Sequence, residues 1–168
     1  MTSKQNKNGL PYLWLALFAF IADLATKYII VENFQLYESI NILPIFNLTY
    51  ARNTGAAFSF LADHSGWQKY FFIGLALTIS AILIYFLQKN TALQKLQNSA
   101  YALIIGGALG NMVDRMYHGF VVDFLDFYWQ DWHYPVFNVA DIAICVGAGL
   151  LVLDALKNGE HKKSEKKA

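Results

Sequence analysis

The sequence predicts an α-helical integral membrane protein with four transmembrane helices and a small extracytoplasmic β-sheet, and three observations carry that expectation. Of 168 residues, 56% are hydrophobic and 15% charged, where average usage is nearer a quarter charged. The apolar residues gather in four runs about as long as the 20 or so residues that cross a bilayer. Between the first two runs lies a β-rich stretch. The thirteen Lys and Arg against twelve Asp and Glu leave a net charge of +1, without the basic excess that nucleic-acid binding requires. The single cysteine, Cys145, excludes an internal disulfide, and no Cys/His cluster offers a structural zinc site. A mean hydropathy of +0.32 with 16% aromatics argues against disorder.

The first run, 11–31, begins at Pro11, which suits a first helical turn. Lys4 and Lys7 before it resemble a signal-peptide start, but the run continues past Asp23 and Lys27 to Val31 without a small-residue cleavage site, so a retained helix is expected. The connection 32–67 is long enough to need structure of its own. Within it Ile40 to Tyr50, INILPIFNLTY, is partly alternating and suits a sheet on the membrane surface. Asn53-Thr54-Gly55-Ala56-Ala57 follows, small enough for close backbone approach, or else an ordinary turn. The remaining spans are expected at 68–87, a plain lipid-facing helix, then 99–117 and 137–156, before a solvated basic tail at 157–168. The whole chain, 1–168, reads as one domain.

Orientation follows from Lys and Arg in short loops. The amino tail has Lys4 and Lys7, the 88–98 loop Lys89 and Lys95, and the carboxyl tail five further lysines. The connections 32–67 and 118–136 have only Arg52 besides histidines. Both termini are therefore expected in the cytoplasm and those two connections outside. Trp14, Trp67, Tyr70, Tyr117 and Trp132 lie near the expected interfaces, where amphipathic rings settle.

Charges within spanning segments are costly and need a partner or a task. Asp23 and Lys27, four apart, share a helix face and are expected to form a structural pair. Asn111, Asp114 and Arg115 share a face of the third helix. Because Asp114 and Arg115 are adjacent, Arg115 is expected to reach another carboxylate. Asn138 and Asp141 repeat the i, i+3 spacing at the outer end of the fourth helix, and Asp123 lies in the connection above. Three carboxylates at one depth cannot all ionise in a low dielectric, which supplies an acid and a base at one pH. Water-activated peptide hydrolysis needs such a pair, although spacing alone leaves open which two of Asp114, Asp123 and Asp141 form it.

Other schemes lack their residues: there is no G-x-S-x-G, H-E-x-x-H or G-x-G-D. Cys145 is expected as a packed thiol, and His64, His118 and His133 as solvated or hydrogen-bonded side chains. Gly106-x-x-x-Gly110 suits close helix packing. A proton- or ion-coupled carrier would call for a repeated half and charges spread through the membrane depth, and a non-catalytic scaffold leaves the carboxylates unexplained.

The blocks Asp23-x-x-x-Lys27, Ala51-Arg52-Asn53-Thr54-Gly55-Ala56-Ala57-Phe58, Gly110-Asn111-Met112-Val113-Asp114-Arg115, Val121-Val122-Asp123-Phe124 and Phe137-Asn138-Val139-Ala140-Asp141 occur in this order with four spans between them. In this the sequence resembles the bacterial lipoprotein signal peptidase family, the type II signal peptidases, from Pro11 to about Leu156. The resemblance implies a membrane aspartic endopeptidase that releases signal peptides from diacylglyceryl-modified prolipoproteins by cleaving before the lipidated cysteine. It implies a catalytic pair of Asp123 and Asp141, with Asn53, Asn111, Asp114, Arg115 and Asn138 supporting it or contacting substrate, and Asp23 and Lys27 structural. No metal and no organic cofactor is implied. The expected setting is the bacterial inner membrane, with the site at the outer leaflet, membrane lipids as surroundings, and a single copy of the chain sufficing.

Overall fold

In the computed structural model, which describes residues 8–55 and 66–165, Pro11 lies in a short 3-10 turn, Leu10–Tyr12, that leads directly into α1, Leu13–Asn33. Three further helices follow: α2, Gln68–Lys89, α3, Lys95–Tyr117, and α4, Val139–Glu165. Leu10–Asn33, Gln68–Lys89 and Val139–Asn158 are each long and apolar enough to cross a membrane. They turn large apolar side chains outward, among them Phe18, Ile21, Leu77, Ile82 and Val152; lipid suits such a face and water does not. The helix α3 carries Asn111, Asp114 and Arg115 and is less apolar, and it takes the sheltered place in the bundle, packed on α1, α2 and α4.

Glycines make that central position possible. A Cβ on Gly106 would collide with the backbone of Ala16 in α1, and one on Gly107 with the backbone of Ala140 in α4. The Gly106/Gly110 spacing thus does the packing expected of it. At the opposite end from the polar cluster, Gly9 N–H donates to Leu87 O at 2.8 Å, while Asn98, fully buried, donates to Thr91 O at 2.8 Å.

The expected surface sheet is present and larger than the sequence indicated. Strands β1, Ser39–Leu43, and β2, Phe46–Asn53, come from the first connection, and β3, Val121–Trp129, and β4, Trp132–His133, from the second. All pair antiparallel in the order β1-β2-β3-β4. The β2–β3 register slips between Leu48 and Ala51, leaving Ala51 opposite Asp123. Ile30, near the C-terminal end of α1, packs with Tyr50, Val122 and Phe124 of the sheet, so the sheet is seated on the bundle.

Three expectations need correction. Cys145 is exposed on α4, facing outward instead of packing inside. The fourth helix, expected to end at Leu156, continues to Glu165. And α4 begins at Val139, which makes Asp141 its third residue. Trp14, Trp67, Tyr70, Tyr117 and Trp132 are all exposed, as interfacial rings should be. Lys4, Lys7, Ala56, Ala57, Phe58 and His64 lie outside the described residues.

Candidate active site

Asp123 sits on β3 opposite Ala51, buried to 3% exposure, with both oxygens engaged. Asn138 Nδ2 donates to its Oδ1 at 2.6 Å and Asn53 Nδ2 to its Oδ2 at 3.0 Å. Asn53 closes β2, and its own Oδ1 accepts the Gly55 amide at 3.0 Å. This Asx-type turn fixes which end of the Asn53 amide faces Asp123.

Asp141 is held by the start of α4. Asn138 precedes the helix, and its Oδ1 accepts the Asp141 amide at 3.0 Å, while Asp141 Oδ2 accepts the Asn138 amide at 3.3 Å. The i, i+3 spacing read from the sequence is therefore a reciprocal helix cap. The other oxygen of Asp141 accepts Asn111 Nδ2 at 2.9 Å. Asn138, fully buried, is bonded to both aspartates and brings Asp123 and Asp141 into one polar cluster.

Beneath lies an ionic layer. Lys27 Nζ is 2.7 Å from Asp23 Oδ2 and 3.1 Å from Asp114 Oδ2, and donates to Asn111 Oδ1 at 2.8 Å. Asp23 and Lys27 are 0% and 2% exposed, and Asp114 joins them as a second carboxylate on Lys27. Asp23 Oδ1 accepts the Ala140 amide at 2.8 Å, and Asp114 Oδ2 the Val122 amide at 2.9 Å. These carboxylates stitch α1 to α4 and α3 to β3. A burial this complete is tolerable because each carboxylate has Lys27 and an N–H donor beside it, and Lys27 has both carboxylates and the Asn111 oxygen.

Arg115 departs from expectation: among the described residues it pairs with no carboxylate. Its Nη2 donates to Gly55 O at 2.8 Å and its Nη1 to Asn111 O at 3.1 Å, with the guanidinium 4.8 Å from the centre of the Phe72 ring. Bonds to two carbonyls and a ring face hold the delocalised cation without an ion pair, although its buried Nε finds no acceptor among the described residues. Arg115 thereby ties the turn after β2 to α3.

Burial raises the Asp123 carboxyl, the charge of Asp141 raises it further, and its asparagine bonds and Lys27 oppose them; the outcome is about 7, against an ordinary 3.8. The sequence reading missed Asp126, a second buried carboxylate on β3. Its Oδ1 is 2.8 Å from His133 Nδ1, and its Oδ2 accepts Thr49 Oγ1 at 3.0 Å and Asn47 Nδ2 at 3.2 Å. Burial pushes Asp126 up, but these bonds prevail and hold it below the usual range. It braces the sheet across β2, β3 and β4, its bonds running to Asn47, Thr49 and His133 and not to the Asn138 cluster. Two of its three bonding partners, Asn47 and Thr49, lie on a strand more than seventy residues earlier, so no local spacing announced them. The described residues contain no group of three or more His, Cys, Asp or Glu arranged to hold a metal ion.

The chain matches the family model described as signal peptidase (SPase) II over residues 15–157. It is 74% identical over 161 residues to the lipoprotein signal peptidase of Actinobacillus succinogenes, covering 96% of this chain and 99% of that relative. It is 72% identical over 160 residues to the lipoprotein signal peptidase of Haemophilus influenzae, covering 95% of this chain and 94% of that relative. A solved chain described as a bacterial membrane enzyme superposes with a TM-score of 0.82 at 35% identity, covering 90% of this chain and 91% of the other. A second one so described gives 0.80 at 31% identity, with 91% and 98% covered.

Proposed function

The chain belongs to the signal peptidase II family, and from that premise we propose that Asp123 and Asp141 are the catalytic pair with which it removes signal peptides from prolipoproteins. The observation that supports this pair over one containing Asp114 is the placement of Asn138, whose side chain bonds to Asp123 and to the Asp141 amide. Asp114 is spent on Lys27 and the Val122 amide.

One proton is shared by the pair, and burial beside the charge of Asp141 draws it to Asp123 near neutral pH. Asp141 takes a proton from water as the water oxygen attacks the scissile carbonyl carbon, and Asp123 gives its proton to the carbonyl oxygen. The tetrahedral diol then collapses: Asp123 recovers a proton from one hydroxyl, the C–N bond breaks, and Asp141 protonates the leaving amine. Acid and base end as they began. The substrate is a diacylglyceryl prolipoprotein cut before its lipidated cysteine, taken up at the outer leaflet by a single copy of the chain. No metal or organic cofactor takes part. The lysine distribution supports a bacterial inner-membrane orientation with both termini cytoplasmic.

The test is release of signal peptide from purified diacylglyceryl precursor in nanodiscs. Asp123→Asn and Asp141→Asn preserve size and hydrogen bonding, so each is expected to fold and to lose about a hundredfold or more in turnover. The double variant should be little worse, because the two act as a unit. Near wild-type cleavage by Asp123→Asn, beside a folded but inactive Asp114→Asn, would move the pair to the other carboxylate.

A further inference from the structure

We infer that Lys27 is a positioning residue for hydrolysis, because it holds the Asn111 side-chain amide with its NH2 group, and not its oxygen, against Asp141. An asparagine amide has two nearly isosteric ends, and only its neighbours decide which end points where. Asn111 lies between two neighbours of opposite demand. Asp141 Oδ1 stands 2.9 Å from Asn111 Nδ2, and Lys27 Nζ stands 2.8 Å from Asn111 Oδ1. An ammonium has donors and no acceptor, so the oxygen must face Lys27 and the NH2 group must face Asp141.

Asp141, which only accepts, favours the same orientation but holds only the NH2 end, and Lys27 is the cation that fixes the oxygen end. Asn138 Nδ2 also approaches Asn111 Oδ1, at 3.2 Å, but its two hydrogens are shared with Asp123 Oδ1 at 2.6 Å and Val122 O at 3.4 Å. Without Lys27 no charged group anchors the Asn111 oxygen, so the amide can swing out of the line that aims its NH2 group at Asp141 and leave the proposed base loosely held. The buried ion pair on α1 thus reaches the reacting groups through one amide on α3, Lys27 itself bonding to Asp23, Asp114 and Asn111 and not to Asp123 or Asp141.

This inference rests on the catalytic roles proposed above, and its test separates the two. In nanodiscs, Lys27→Met is expected to lower kcat per folded molecule by at least about tenfold with KM within about twofold, as loss of an interaction made at the chemical step requires. In an Asn111→Leu background, which has no amide to orient, the same Lys27→Met change should cost less than about twofold more, because the two residues act through one bond. Lys27→Met alone leaves Asp23 without its counter-charge and can fail to fold. The paired change Asp23→Asn with Lys27→Met keeps the net charge of the layer and the acceptor for the Ala140 amide and, read per folded molecule, should show the same kcat loss. Additive losses in the cycle, or a paired variant with wild-type kcat, would overturn the role of Lys27. If the wild type releases no signal peptide, or Asp123→Asn and Asp141→Asn leave release intact, the proposed function fails instead.

Discussion

The Asp114 carboxylate accepts the Val122 amide N–H at 2.9 Å, and through that bond the membrane bundle grips the strand that carries Asp123. The same oxygen faces Lys27 at 3.1 Å, so one atom joins α1, α3 and β3. Asp114→Leu would leave a buried amide and part of a buried cation without an acceptor. An unsatisfied buried group costs about 1–3 kcal/mol. The expected result is a lower unfolding midpoint together with reduced cleavage, while Asp114→Asn, which keeps an acceptor for Val122, should retain more of both. Thermal unfolding of the two variants in the same detergent checks this, and equal midpoints would speak against the strand anchor.

Gly110 and Gly149 should respond oppositely to alanine. A Cβ at Gly110 would strike the Asp23 carboxylate and disturb the Lys27 pair, whereas one at Gly149 meets nothing within 4 Å. Overpacking of a tight contact typically costs about 1–3 kcal/mol, while an exposed helix glycine is up to about 1 kcal/mol less favourable than alanine. Gly110→Ala should therefore lower the unfolding midpoint, and Gly149→Ala should leave it unchanged or raise it. A scan of both variants at one protein-to-detergent ratio decides the matter.

Much of this was legible in the sequence because its signals are local. Apolar runs of bilayer length gave the four helices, the i, i+4 spacing gave the Asp23–Lys27 pair, and the i, i+3 spacing of Asn138 and Asp141 gave a shared face that proved to be a helix cap. What failed to show depends on partners distant along the chain. The strand β3 is set by pairing with β2, more than seventy residues earlier for Asp123 and Ala51. Arg115 was assigned a carboxylate on charge alone, but the carbonyl of Gly55 and the ring of Phe72 reached it first. The proposed choice of two carboxylates among three was likewise unreadable from spacing, since its support is which of them bond to Asn138.

Topology can be tested independently of chemistry. The second connection has no Lys or Arg between His118 and Val136, and the helix α4 that follows ends in a lysine-rich segment. A reporter fused at Gln130, in the turn between β3 and β4, should read as extracytoplasmic, and one fused after Ala168 as cytoplasmic. A cytoplasmic signal at Gln130 would invert the proposed orientation and move the candidate site to the inner leaflet.

Asp123 should make both stability and activity depend on pH, with signs that can be worked out. Its carboxyl rises from an ordinary 3.8 to about 7 in the folded protein, with burial the main cause and the charge of Asp141 second. The folded state therefore holds a proton that the unfolded chain releases, and stability falls with rising pH wherever the unfolded state binds fewer protons. The contribution of Asp123 is fully present below about 3.8 and is lost as pH climbs through about 7. In Asp123→Asn the amide never ionises, so this loss disappears. The variant's unfolding midpoint minus that of the wild type should be smallest near pH 4, grow across the interval to pH 7, and level off above it. Activity should follow the same proton in the wild type: kcat/KM should fall on the alkaline side with an apparent pKa near 7, a value that belongs to the coupled pair and not to one carboxyl. The two measurements must agree, since one ionisation drives both. A pH-independent difference in midpoint, or full activity well above pH 8, would mean that Asp123 does not hold the shared proton and that the acid and base roles lie the other way round.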